Sequence, residues 1–571
     1  MLLSLIVHRF RGIYTRQRFL LWLALSLAAL AIGRGIGTGE FAINHDEAFQ
    51  ACTGLYFASF IHDLPLRHPI AYTYLYYAHY PALQLVTYPP VFYVAEGLGF
   101  LILGPSVITA RITVLLFALL GLYFWFRLVV ELQDEVTAGI TTVLVAFLPS
   151  VLFFEKAVML EIPAMAFCVA AGYYWVRYLR EGARRLVYYF AVFAALALLT
   201  KVQTAYLATW CVLSVIVTGK WRAVLNRWTS LALLLSSVVV LPYYAFSFAL
   251  AGRALLLEAT KPIPFEPLSF ASAGALFRAD FLEHSHAMAY SSLFYLITLP
   301  GQVGWVILGL AVLSLMWIKN WEKPENAALI LTWIVACYIT ETVIPEKQPR
   351  YIIYWLPPIV YLAVAPVVSM LRWQGWTPKI AAASTLLTVL VCYSMMAWSY
   401  RWPYVSGYAE LARRLVREPG GYVLIDTPWE GEFVFFARAF DPLRRFVIDP
   451  KALYIVRQVK AHGYLELAHS TDDVRKIIRE GGFRYIIVDT KMRRSFESQR
   501  FLRDVLNDPE FKPLYRVQVD SNISELRGDT LTLYEDMQAR PPADGTYRLR
   551  MLTLSHDISV PRTALNLGGQ N

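Results

Sequence analysis

The sequence predicts a polytopic α-helical membrane protein of about eleven transmembrane helices, with an outer-face C-terminal α/β domain, and three observations lead there. Of 571 residues, 57% are hydrophobic and 16% charged, a balance with positive mean hydropathy that places the chain among membrane-embedded proteins rather than large soluble enzymes. Apolar runs able to cross about 30 Å of hydrocarbon recur between residues 17 and 397. Beyond residue 400 they give way to short strand-like and amphipathic segments.

The runs fall near 17–37, 108–130, 137–155, 159–178, 186–200, 203–219, 228–250, 302–318, 326–344, 351–371 and 379–397. The first follows Arg9, Arg11, Arg16 and Arg18 and lacks a small-residue cleavage site, so it reads as an uncleaved helix rather than a signal peptide. The stretch from Pro89 to Gly104 begins with two prolines and carries Glu96 mid-run, which suits a helix lying along the membrane surface. With that assignment Arg127, the cluster Arg177, Arg180, Arg184 and Arg185, then Lys220, Arg222 and Arg227, then Lys319 and Lys323, then Arg372 and Lys379 all fall inside. The positive-inside rule is satisfied throughout. A multi-pass protein of the cell (inner) membrane is expected, its N-terminus cytoplasmic and its active site and C-terminal domain extracytoplasmic.

Residues 1–400 are expected to form the transmembrane domain, with surface helices in the tyrosine-rich first outer loop, 38–107, and residues 401–571 the extracytoplasmic domain. In the latter, Tyr404 to Glu418 reads as an amphipathic helix, and Gly421 to Ile425, Arg484 to Val488, Tyr515 to Val519 and Thr530 to Tyr534 as strands. No glycine-rich phosphate loop follows any of these strands. The five cysteines are scattered, four of them within apolar runs, which supports neither disulfides nor a thiolate metal site. The net charge of +10 is spread over both regions, so no nucleic-acid surface is expected.

Charge beside a bilayer costs free energy and marks function. Just after the first apolar run, Asn44-His45-Asp46-Glu47-Ala48 holds a carboxylate pair, and Pro345-Glu346-Lys347-Gln348-Pro349-Arg350-Tyr351 sets two cations at the mouth of a late span. Glu155, Lys156 and Lys201 share the expected outer face with them. The pattern is that of an acid/base group facing an anion clamp.

In their order along the chain these residues resemble the C-type membrane glycosyltransferases, in particular the group of the lipid A aminoarabinose transferase and the protein O-mannosyltransferases. The resemblance rests on the Asp46-Glu47 pair, Tyr88-Pro89-Pro90 followed by Gly104-Pro105-Ser106 and Arg111, an acidic residue near the third and fourth helices, Leu199-Thr200-Lys201, and Lys347-Gln348-Pro349-Arg350-Tyr351. It covers roughly residues 17–371 and leaves the tail outside.

The resemblance implies transfer of a sugar from a polyprenyl-phosphate donor of undecaprenyl or dolichyl type to a hydroxyl acceptor on lipid, protein or glycan at the outer face. A hydroxyl is a poor nucleophile, so a carboxylate in reach of its proton is needed, and Asp46 is the candidate base, acting with inversion. Glu47 then orients the acceptor or Asp46. The alternative for Asp46 is a capping carboxylate at a helix start. Glu161 is a further catalytic candidate, at a position where the family often has Asp. The departing lipid phosphate needs cations: Arg350 for bidentate contact, with Lys347 and Lys201 in support, each with snorkelling to headgroups as its alternative. Tyr88, Tyr56 and Glu155 are candidates for the sugar or acceptor pocket, with Tyr93 a weaker one, although in a chain with 35 tyrosines packing is the default role.

No cofactor is expected. The alternative is a divalent metal at His45 and Asp46 or at His284 and His286, whose spacing is not diagnostic. The expected partners are the lipid-linked sugar donor, membrane lipids and the hydroxyl acceptor. A competing function, a transporter or flippase of lipid-linked saccharides, calls for ionisable groups near the bilayer midplane; here the unusual charges gather at one face. A lipid- or glycan-binding scaffold would need a recognisable site beyond residue 400, and none is legible.

Overall fold

The computed structural model describes residues 2–41, 44–249, 266–267, 293–316, 321, 323–344, 347–457, 463–491, 496–540, 545–549, 557–565 and 567. The chain forms two compact units: residues 1–36, 111–243 and 285–402 in the first, and residues 37–110, 244–284 and 403–571 in the second.

The first unit is helical. Among the described residues six helices are long and apolar enough to cross a membrane: Thr15–Gly33, Val107–Leu132, Arg227–Ser247, Pro324–Val343, Pro349–Met370 and Trp376–Ser399. A seventh is added if the pair Phe294–Val303 and Trp305–Met316, bent by 116°, counts as one. The other expected spans are helical but shorter or charged. The run 137–155 breaks after Ala146 and restarts at Pro149, because proline has no N–H to continue the ladder. The run 203–219 begins as a 3-10 turn, Val202–Ala205, before the helix Tyr206–Thr218. Glu161–Glu181 is 21 residues long but has charges at both ends. The expected span 302–318 contains the bend, at Gly304 with φ +83°; a Cβ there would lie 2.4 Å from the Tyr393 hydroxyl, so only glycine serves. Gly172 is needed for another reason. A Cβ on it would meet the Trp333 ring at 2.5 Å, so its absence lets Glu161–Glu181 approach Pro324–Val343 closely.

The second unit is built on a five-stranded sheet, in the order Phe446–Asp449, Gly421–Asp426, Phe483–Asp489, Thr530–Asp536, Phe511–Gln518. Gly421–Asp426 is parallel to both neighbours, and the last two strands join antiparallel. The parallel strands are buried almost continuously, as expected where both faces are covered. The expected amphipathic helix lies at Tyr408–Leu415, and each of the four expected strands is present.

Residues 38–107, expected with the membrane domain, group with this sheet instead. Polar contacts account for that. The buried Glu40 carboxylate accepts the N–H groups of Gly407, Tyr408 and Ala409 at 3.0 to 3.1 Å, capping Tyr408–Leu415 from far along the chain. Arg444 donates to Asp63, and Arg438 to the Ser59 hydroxyl at 2.9 Å. The helix Asn44–Asp63 packs on Glu430–Phe440 so closely that a Cβ on Gly431 would lie 2.6 Å from the Phe49 ring.

His79, 5% exposed, ends the helix Pro69–His79 and bonds through Nδ1 to the Phe446 carbonyl at 2.8 Å. Burial pushes its pKa down to about 4 against the pull of that bond, with Arg444 and Arg438 acting in the same direction as burial. The folded chain therefore holds this imidazole neutral. Its contribution is intact above the unfolded value near 6.5 and is lost as pH falls towards 4, on the order of 3 kcal/mol. Melting of the detergent-solubilised chain is expected to drop between pH 7 and pH 4.5, and a His79→Gln variant to show a visibly smaller drop over that interval.

Candidate functional site

Within the first unit, three elements bring their termini together. Glu161 opens the helix Glu161–Glu181, where a carboxylate favours the positive end of the helix dipole. Lys201 follows the helix Arg184–Leu198, its backbone N–H still bonded to the Ala197 carbonyl at 2.9 Å, so its cation sits at a negative end. Arg350 lies in the 3-10 turn Pro349–Trp355 that leads into Leu356–Met370.

One oxygen joins the three. Lys201 Nζ donates to Glu161 Oε1 at 2.6 Å, and Arg350 Nε approaches the same atom at 3.6 Å. The Glu161 and Lys201 side chains are 1% and 3% exposed, that of Arg350 16%. Among the described residues, Glu161 Oε2 has no hydrogen-bond partner. The Tyr351 ring lies under both cations, 5.1 Å from Lys201 Nζ and 5.8 Å from the Arg350 guanidinium carbon.

The sequence did not single out Glu341. It ends the helix Pro324–Val343, is fully buried, and neither carboxylate oxygen has a hydrogen-bond partner among the described residues. The charges acting on it are those of Lys201 and Lys347. A signal was present, since a lone carboxylate inside the apolar run 326–344 is the costly placement that elsewhere marks a site. Formally the five groups carry an excess of one positive charge, three cations against two carboxylates.

Two of the expected site residues have definite partners. Glu161, expected in catalysis, is an ion-pair partner of both Lys201 and Arg350. Lys347, expected on the donor phosphate, donates to the carbonyls of Thr342 and Ile344 at 2.8 and 2.7 Å and so closes the end of Pro324–Val343. Arg350 is the least buried of the three cations: its side chain is 16% exposed, whereas Lys201 and Lys347 are buried residues. Glu155 is also in this unit, 1% exposed, its Oε2 without a hydrogen-bond partner among the described residues, and Lys156 beside it donates to the Arg34 carbonyl at 2.9 Å.

The remaining candidates lie in the second unit. Asp46 and Glu47 occupy the first turn of the helix Asn44–Asp63, Asp46 half-buried and Glu47 fully buried. Tyr56 is 5% exposed, bonds through its hydroxyl to Thr73 at 2.7 Å and packs among Phe57, Phe60, Tyr72 and Tyr76, the arrangement of a core residue. Tyr88 is half-buried, and Tyr93 is buried with its hydroxyl on Gln50. Among the described residues no three His, Cys, Asp or Glu side chains come together to hold a metal; His284 and His286 lie outside the described residues, as does the His45 side chain.

The fold has known counterparts. The crystal structure of ArnT from Cupriavidus metallidurans in the apo state matches with a TM-score of 0.56 at 12% identity, covering 91% of this chain and 98% of that one. The fold is that of the C-type membrane glycosyltransferases. ArnT from the same organism bound to undecaprenyl phosphate matches with a TM-score of 0.53 at 14% identity, covering 89% of this chain and 98% of that one. Residues 87–246 match the family described as dolichyl-phosphate-mannose-protein mannosyltransferase. None of the curated proteins matches in sequence. The chain is thus a multi-pass membrane protein with a glycosyltransferase fold and a mannosyltransferase-like segment.

Proposed function

We propose that this chain transfers a sugar from a polyprenyl-phosphate donor to a hydroxyl acceptor at the outer membrane face, inverting the anomeric centre. The observation that carries the proposal is the buried oxygen of Glu161 shared by Lys201 and Arg350, with the guanidinium partly open. A lipid phosphodiester or phosphate brings a negative charge that grows as the sugar leaves. A cation pair fixed in advance by a buried carboxylate stabilises that charge without reorganising at the moment of reaction. ArnT, with which the fold is shared, has been crystallised with undecaprenyl phosphate, and this supports a donor of that class.

In this reading Arg350 takes the phosphate by charge-assisted hydrogen bonds, Lys201 adds positive potential from behind, and Glu161 positions both. Asp46 removes the acceptor proton, with Glu47 beside it orienting either group. The hydrophobic tail of the carrier lies between helices near the late outer loop. The cytoplasmic placement of the N-terminus, supported by its arginines, belongs to the same proposal.

Purified full-length protein in lipid, offered a panel of polyprenyl-phosphate sugars together with lipid, peptide and glycan acceptors, is expected to consume one donor and release polyprenyl phosphate. Movement of intact donor between leaflets without release of the phosphate carrier would favour the flippase instead.

A further inference from the structure

The geometry points to a second lipid site, distinct from the cation cluster: a groove in the first unit that holds one acyl chain of an anionic bilayer glycerophospholipid, with its phosphate on Arg34. The groove runs between the helices Thr15–Gly33, Glu135–Ala146 and Trp376–Ser399 and encloses about 450 Å³, a volume in the range of lipid and cofactor sites. Its walls are almost wholly apolar. Leu20 and Leu27 form one side, Phe147 and Trp398 close one end, and the small residues Ala31 and Gly139 leave the space open. A Cβ on Gly139 would only touch Leu20, at 3.8 Å, so the gap is real volume rather than a tight helix crossing.

Length and charge select the occupant. From Leu20 to Ala31 the first helix rises about 16 Å, close to half of an about 30 Å hydrocarbon core, so the groove accepts one straight acyl chain of a single leaflet. A branched polyprenyl tail is far longer than this trough. At the Trp398 end the Arg34 guanidinium lies 4.3 Å above the indole and donates to the Trp398 carbonyl, which fixes a cation beside an amphipathic ring of the kind found at headgroup level. Lys156, donating to the Arg34 carbonyl at 2.9 Å, anchors the Arg34 backbone at the same end. Leu30 and Trp398, 67% and 62% exposed, leave the groove open sideways to lipid.

The test is native mass spectrometry of the full chain released from mild detergent, with phosphatidylglycerol, phosphatidylcholine or polyprenyl phosphate added at equal concentration. The wild type is expected to retain one phosphatidylglycerol at least tenfold more strongly than phosphatidylcholine. Arg34→Gln is expected to erase that preference, and Ala31→Phe, which fills the groove, to abolish retention while the chain keeps its elution volume and melting temperature. Equal retention of both phospholipids, or a preference untouched by Arg34→Gln, would overturn the inference. So would polyprenyl phosphate binding that is lost in Ala31→Phe, since the groove would then belong to the carrier.

Discussion

Replacing Asp46 by asparagine is expected to lower sugar transfer by about 10²- to 10⁴-fold while donor binding changes little, the span that general-base catalysis contributes. Asparagine keeps the size and one acceptor oxygen of the side chain but cannot take a proton. The backbone beneath it is secured by the helix Asn44–Asp63, whose next residue, Glu47, is fully buried, so the substitution tests chemistry rather than folding. The measurement is the initial rate of transfer from a labelled donor, paired with donor affinity on the same preparation. Turnover within a few-fold of wild type would remove Asp46 as the base and leave the capping role at the helix start.

The second large effect is expected at Glu161. Its carboxylate is an ion-pair partner of both Lys201 and Arg350, and Glu161→Ala would leave Lys201 buried without that partner. Breaking a buried pair from one side costs about 3–5 kcal/mol, so the variant is expected to melt well below the wild type in detergent. Glu161→Leu combined with Lys201→Met removes both charges and is expected to recover most of that loss, because an apolar pair of similar volume packs without a desolvated charge. Donor binding is expected to stay weak in the double variant, since Arg350 loses its anchor. Full donor affinity in the double variant would show that the pair serves stability alone.

How far these features were legible depends on the range of the interactions behind them. The strands Gly421–Asp426 and Phe483–Asp489 show in the sequence because a buried strand is a short continuous apolar run bounded by turns, a local signal. The union of residues 37–110 with the C-terminal sheet does not show. It depends on Glu40 reaching the N–H groups of residues 407–409 and on Asp63 meeting Arg444, pairs separated by more than 360 positions. Among the described residues fewer of the eleven runs form single long apolar helices, because hydropathy measures apolar length and not helix continuity. Pro149 and Gly304 interrupt runs that read as uniform.

The cation cluster was half visible. Lys201, Arg350 and Glu161 stand out as charges beside apolar runs, but their sequence neighbours cannot reveal that a single carboxylate oxygen holds both cations. Lys347 looked equivalent to Arg350. The difference is set by the helix end Thr342 to Ile344, whose carbonyls take up its ammonium. Glu341 stands alone in an apolar run, and neither of its carboxylate oxygens has a hydrogen-bond partner among the described residues, a costly placement that reading the runs for length alone passes over.

In the proposed function Arg350, positioned by Glu161, grips the phosphate of a lipid carrier. The most direct measurement is the affinity of the purified full-length chain for polyprenyl phosphate, compared with Arg350→Ala and with Arg444→Ala as a control in the other unit. The account predicts a loss of at least about tenfold for Arg350→Ala and none for Arg444→Ala. Equal affinity in the wild type and Arg350→Ala would contradict it.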